Sequence, residues 1–123
     1  MANKTKALQR SKKELERRGW QVAIVERWQM RPQAEFGVRV DVWGFGDLLA
    51  CKPSCLPEPN KIALIQCFPM STWKAHAVKC QDIMELTIWK AAGGLVYLHG
   101  WGLKPKGGIR GSKKVWTLRE QEL

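Results

Sequence analysis

Acid is what this chain has least of. Its 123 residues hold 11 Asp and Glu against 21 Lys and Arg, for a formal net charge of +10, and Asp occurs three times, as Asp41, Asp47 and Asp82. Long apolar runs are missing too: none reaches the length of a bilayer span. The basic N-terminus is followed by no apolar h-region, so a secretion signal is not expected. Internal repeats and low-complexity stretches are also absent. Four cysteines occur, Cys51, Cys55, Cys67 and Cys80, and their C-x3-C plus lone spacing is a poor match to paired zinc knuckles. Reduced thiols are the expected state, with a zinc site using His76 or His99 as the sharper alternative.

What is present is enough for a folded core. Hydrophobic residues make up 45% of the chain, which argues against wholesale disorder, and the length is that of one domain, residues 1–123. The base excess is concentrated at the two ends. Residues 1–18 carry Lys4, Lys6, Arg10, Lys12, Lys13, Arg17 and Arg18, and residues 104–119 carry Lys104, Lys106, Arg110, Lys113, Lys114 and Arg119 with no acid among them. Basic clusters of this kind fit a polyanion, nucleic acid being the commonest, although two solvated faces would read the same way. Lys6, Arg10, Lys13, Lys79, Arg110, Lys113 and Lys114 are the expected backbone contacts.

Periodicity sets the expected order of elements. Residues 4–18 are good helix formers stopped by Gly19. "WQVAIVERW" alternates as a strand, with Trp20, Val22, Ile24, Glu26 and Trp28 on one side. "FGVRVDVW" is a second strand, Gly44 and Gly46 bracket a bend or bulge, and "GDLLAC" continues as a third. Three prolines make residues 52–60 a loop, and "KIALIQCF", apolar on both faces, is the expected central strand. A helix is expected from about Ser71 to Ala92, with Cys80, Ile83, Met84, Ile88 and Ala91 as its apolar positions. "LVYLHGW", a flexible loop over 102–112 and "KKVWTLR" complete the order α-β-β-β-α-β-β. That order is an α/β fold, a mixed central β-sheet flanked by helices.

Polar residues inside these strands are the candidates for function. Glu26, Asp41, Asp47 and Gln66 each lie near a strand end or a glycine kink, and carboxylates are depleted from strands. Converging strand-end carboxylates hold hard divalent cations, and such a metal activates water against a phosphodiester. The plainer reading of Glu26 and Asp41 is ion pairing with Arg27 or Arg39. Asp47, beside Leu48 and Leu49, is pinned to the core. His76 and His99 are candidate proton carriers. Trp20, Trp73 and Trp89 fall on core faces, whereas Trp101 and Trp116, beside the basic segment, suit either packing or stacking on splayed bases.

"GFGDLLAC", a nine-residue loop and then "KIALIQCF" resemble the core of the PD-(D/E)XK nuclease superfamily, most nearly its archaeal-type Holliday junction resolvases and VRR-nuclease-like phage proteins. Other stretches carry the resemblance over residues 5–119: Arg-Arg-Gly-Trp, Val-Glu-Arg-Trp, Ala-Gly-Gly, His-Gly-Trp and Val-Trp-Thr-Leu-Arg. It implies a restriction-endonuclease-like core, Mg2+ or Mn2+, structured or branched DNA, a homodimer, and a cytoplasmic setting in a bacterial, archaeal or phage-infected cell. By this resemblance Asp47 is the first metal-binding acid, Gln66 stands at the (D/E) position, the Cys67 carbonyl is a main-chain ligand, and Glu26 and Asp41 are the additional acids. Phe68 stands where the family has lysine, and Lys74 or Lys79 on the following helix is the expected substitute.

Overall fold

The structure, a computed structural model, describes residues 2–30, 37–53 and 57–123. Helix α1 (Ala2–Arg17) leads into β1 (Gln21–Ile24), β2 (Arg27–Met30), β3 (Gly37–Val40), β4 (Leu48–Lys52) and β5 (Lys61–Pro69). Helices α2 (Trp73–Lys79) and α3 (Met84–Ala91) follow, then β6 (Leu95–Pro105) and β7 (Lys114–Glu122). Five strands form a mixed sheet in the order β1-β4-β5-β6-β7, and β2 with β3 makes a separate antiparallel pair. Only β5 and β6 run parallel in the five-stranded sheet. Parallel neighbours need a long crossover, and α2 with α3 supplies it.

The expected central strand is central. From Ala63 to Phe68 every residue of β5 is buried, because helices cover both sheet faces. On one face Ala7, Leu8 and Leu15 of α1 pack on Val22, Leu48, Ala50, Ala63, Ile65 and Cys67. On the other, Leu64, Phe68, Val96 and Leu98 meet Phe45, Trp73, Cys80 and Leu86. Truncating a buried anchor such as Leu15 to Ala costs about 2–5 kcal/mol.

Three expectations need correction. The strand over 20–28 is divided between Ile24 and Arg27, and its second half pairs with β3 instead of joining the large sheet. The helix expected to reach Ala92 is broken at a 3-10 turn, Cys80–Asp82, where Ile83 is extended (φ −92°, ψ 100°). The break resets the helical phase, so Leu86 is the buried residue of α3 while Met84 and Ile88 are 73% and 62% exposed. The loop expected from residue 102 starts later. Gly102, Leu103 and Lys104 pair with Thr117, Trp116 and Val115, and these cross-strand partners override the glycine and lysine content. Cys51 is exposed, whereas Cys67 is buried. Neither they nor Cys80 is in a disulfide, and Cys55 lies outside the described residues. Among the described residues no helix is long and apolar enough to cross a membrane.

Candidate functional site

The Trp-Gly-Phe-Gly stretch builds a tight turn that carries Asp47 into the core. Val42 and Gly46 exchange backbone hydrogen bonds at 3.0 and 2.8 Å. Trp43 and Gly44 take φ values of 57° and 69°, the left-handed region in which glycine is unstrained. Phe45 is fully buried and anchors the turn. Gly46 passes so close to Leu64 that an added Cβ would lie 3.0 Å from its side chain. The next residue, Asp47, is 0% exposed.

Asp47 is tied to β5 twice. Its amide donates to the Ile65 carbonyl at 2.9 Å, and its Oδ2 accepts from the Cys67 amide at 2.8 Å. Leu48 pairs with Ile65, and the Asp47 amide bonds to that same residue, so two consecutive residues face one of β5 and Asp47 sits in a bulge at the end of the ladder. Leu48, Ile65 and Cys67 belong to the core under α1. By alternation along β5, Gln66 points to the face opposite Ile65 and Cys67. Gln66 is 2% exposed. In an antiparallel ladder a residue's N–H and C=O project toward the same neighbour, so the Cys67 carbonyl is directed to the β4 side, as its amide is.

Glu26 reaches this region through a bulge. The amides of Val25 and Glu26 both donate to the Asp47 carbonyl, at 3.0 and 3.3 Å. Two residues facing one interrupt the alternation that Val22 and Ile24 follow, and the strand breaks there. Oε1 of Glu26 and Oδ1 of Asp47 are both shielded from solvent. Asp41 is half-buried just past the end of β3. Among the described residues no three His, Cys, Asp or Glu side chains are grouped so as to hold a metal ion. Glu26, Asp41 and Asp47 thus do not close into a carboxylate cage, and no zinc set forms there. The donors that fit a hard cation are the Asp47 carboxylate, the Gln66 amide oxygen and the Cys67 carbonyl, all oxygens as Mg2+ and Mn2+ prefer.

At the third motif position Phe68 is fully buried, with its ring 5.5 Å from Trp73 and 4.1 Å from His76, the latter parallel to within 3°. His76 Nδ1 lies 2.9 Å from the Thr72 carbonyl, which can only accept, so Nδ1 carries the proton and Nε2 keeps its lone pair in the neutral ring. Lys74 is exposed, one residue past the buried Trp73 and so about 100° round the helix from it. The helix brings a histidine, not Lys74, against the lysine position. The strand-Phe68 and helix-Trp73/His76 spacing was the available signal.

His99 has a different setting. It is fully buried, with Nδ1 2.9 Å from Ser11 Oγ and Nε2 2.8 Å from Glu120 Oε2. Trp101 Nε1 donates to the same Ser11 Oγ at 2.8 Å, and Arg18 donates to Glu120 at 2.9 Å. The hydrogen bond from His99, and then the charges of His99 and Arg18, hold the Glu120 carboxyl below its ordinary range against the opposing effect of burial. The set imitates a Ser-His-acid triad, yet Ser11 is 0% exposed and offers no accessible nucleophile. It fastens α1 to β6 and β7.

The basic residues divide into two groups. Lys12 pairs with Glu16, and Arg17 and Arg18 pair with Glu14, so part of the N-terminal excess is spent within the helix. Lys6, Arg10 and Lys13 line one concavity of about 350 Å³. Arg10 lies 3.5 Å over the Trp116 ring, which joins that helix face to β7. Arg110, Lys113 and Lys114 are exposed where β6 turns into β7, a tip closed by the Lys106 amide bonding to the Lys113 carbonyl at 3.0 Å. Lys79 is exposed at the end of α2, on the other side of the sheet. Set against protein-family models, curated proteins and solved structures, the chain matches none of them.

Proposed function

We propose that this chain is a metal-dependent endonuclease of Holliday junction resolvase type, built on a restriction-endonuclease-like core and acting on structured or branched DNA. One observation carries the reading: the fully buried Asp47 carboxylate is bonded at 2.8 Å to the amide of Cys67, the residue that follows the buried Gln66 in the chain. This contact supports Asp47 as the first acid and Cys67 as the main-chain ligand. Mg2+ or Mn2+ held by Asp47, Gln66 and the Cys67 carbonyl would supply charge stabilisation at phosphorus and an activated water. Glu26, whose amide bonds to the Asp47 carbonyl, would be a further acid beside the site, and His76, stacked on Phe68, would take a proton through Nε2. Lys6, Arg10 and Lys13 with the β6–β7 tip hold DNA backbones, and a two-fold dimer suits the symmetry of a four-way junction.

A second reading, a nuclease-fold DNA-binding protein that has lost cleavage, is favoured by burial. Asp47 and Phe68 are 0% exposed, Gln66 carries no charge, and a phosphodiester has to reach them. Incubating the protein with a labelled four-way junction and Mg2+ or Mn2+, with linear duplex as control, separates the two. Symmetrical metal-dependent incision supports the enzyme. Tight binding without incision supports the inactive form. Absence of binding to either DNA removes both.

A further inference from the structure

A second cleft lies beyond the C-terminal end of β5, on the side of the sheet that α1 covers. It encloses about 230 Å³ and is walled by Arg10, Met70, Trp101, Leu103 and Trp116. Its two tryptophans differ. Trp101 is fixed through its Nε1 hydrogen bond to Ser11, so it forms a rigid wall. Trp116 is 48% exposed and has the Arg10 guanidinium stacked 3.5 Å over its ring. Gly102 forms part of the lining, and a Cβ there would lie 3.2 Å from the Met70 Cβ, so glycine keeps that strand close against the cleft.

Flat aromatic walls, an apolar interior and the Arg10 cation at the wall, with an adjoining basic concavity, match one ligand chemistry: an unstacked nucleobase with its flanking phosphates. The ring face offers sequence-tolerant stacking. Lys6 and Lys13, four residues before and three after Arg10, lie along the same helix face and meet the phosphates. An apolar ligand would need none of these charges. The position is apt as well. Pro69 lines the cleft and lies three residues after Gln66 on the same strand, roughly 10 Å away.

Resting on the DNA reading above, we propose that this cleft captures one splayed or unpaired base, with Trp116 and Arg10 as the stacking elements, and that this is how the protein tells a branch or single strand from intact duplex. The test is anisotropy with end-labelled oligothymidylate, four-way junction and blunt duplex in EDTA, where cleavage plays no part. Trp116→Ala is expected to weaken binding to oligothymidylate and junction by about tenfold, the scale of one lost stacking contact, and to leave blunt duplex within about twofold, whereas Arg10→Gln, which also removes a backbone contact, is expected to weaken all three with duplex affected least. Trp116→Phe is expected to retain most of the preference. Equal losses on all three DNAs, or no loss on any, would overturn the base-capture proposal while leaving DNA binding intact. A wild-type protein that binds none of the three overturns this proposal and the DNA reading together. Junction binding and discrimination as expected, without incision when metal is added, supports base capture and removes the nuclease alone.

Discussion

His76 lies flat on Phe68, ring centroids 4.1 Å apart and planes 3° from parallel. A strand position that the nuclease resemblance reserves for a lysine is thereby covered by an imidazole from the following helix, its tautomer fixed by the Thr72 carbonyl. If His76 carries a proton in the reaction, His76→Ala lowers the single-turnover cleavage rate by about 10²–10⁴ and leaves junction affinity in place. The rate–pH profile of the variant loses the limb that histidine contributes. His76→Phe, which preserves ring stacking, is expected to behave like Ala in rate and like wild type in stability. Wild-type cleavage by His76→Phe would reduce His76 to packing.

Asp47 and Gln66 make opposite predictions. Asp47→Asn keeps shape and an acceptor for the Cys67 amide but removes charge, so metal-dependent cleavage is abolished and DNA binding is unchanged or stronger. Asp47→Ala is the harsher form, since it strips the buried Cys67 amide of its acceptor at a cost of about 1–3 kcal/mol. Gln66→Glu restores a second charge and raises metal affinity, read as a lower half-saturating Mn2+ concentration. Full cleavage by Asp47→Asn, or by wild type in EDTA, excludes the metal mechanism.

Much of this was legible before any coordinates. The doubly apolar "KIALIQCF" gave the central strand because burial on both faces leaves no polar alternation, and Gly44 and Gly46 announced the turn that buries Asp47. The bulge at Val25 and Glu26 leaves no mark in the sequence, since a local two-on-one pairing leaves the alternation of residue types undisturbed. The break at Ile83 was hidden for a related reason. Met84 and Ile88 are apolar and helical in spacing, and only the position of the sheet decides that Leu86 is the one covered. The Ser11–His99–Glu120 relay joins residues far apart in the chain, and no local pattern marks such a contact.

That relay predicts acid sensitivity. Glu120 has a depressed folded pKa, so its contribution is fully present above the ordinary carboxylate value and is lost as pH falls through the folded one. Glu14 behaves alike: bonding to Arg17 and then Arg18 lowers it from 4.5 to about 2, with burial opposing. The melting temperature should therefore drop as pH is lowered through that range. Glu120→Gln should cost roughly 1–3 kcal/mol at neutral pH and flatten the acid slope, because Arg18 and His99 lose their charged partner. Glu14→Gln should flatten the slope slightly at little neutral cost, as its ion pairs are exposed. An unchanged acid slope in Glu120→Gln would remove the relay from the stability of the α1 contact.

The hairpin tip makes the last prediction. Lys113 and Lys114 are exposed, and the Lys106–Lys113 backbone hydrogen bond holds the tip at the end of the longest strand pair in the sheet. Trp116, two residues on from Lys114 and so on the same face of β7, stacks under Arg10, which links the tip to the basic face of the helix. Contacts to phosphate release counterions, and affinity then falls steeply with salt. With about five phosphates engaged, log K against log salt has a slope near −4 to −5. Neutralising Lys113 and Lys114 together should make it shallower by up to about 2, with sequence preference unchanged. Thermal stability should hardly move, since exposed lysines contribute little to folding. The same pair of substitutions should weaken junction and duplex alike, because phosphates carry no branch information, whereas Trp116→Ala separates the two. A double variant that binds with the wild-type slope would place the DNA away from this tip.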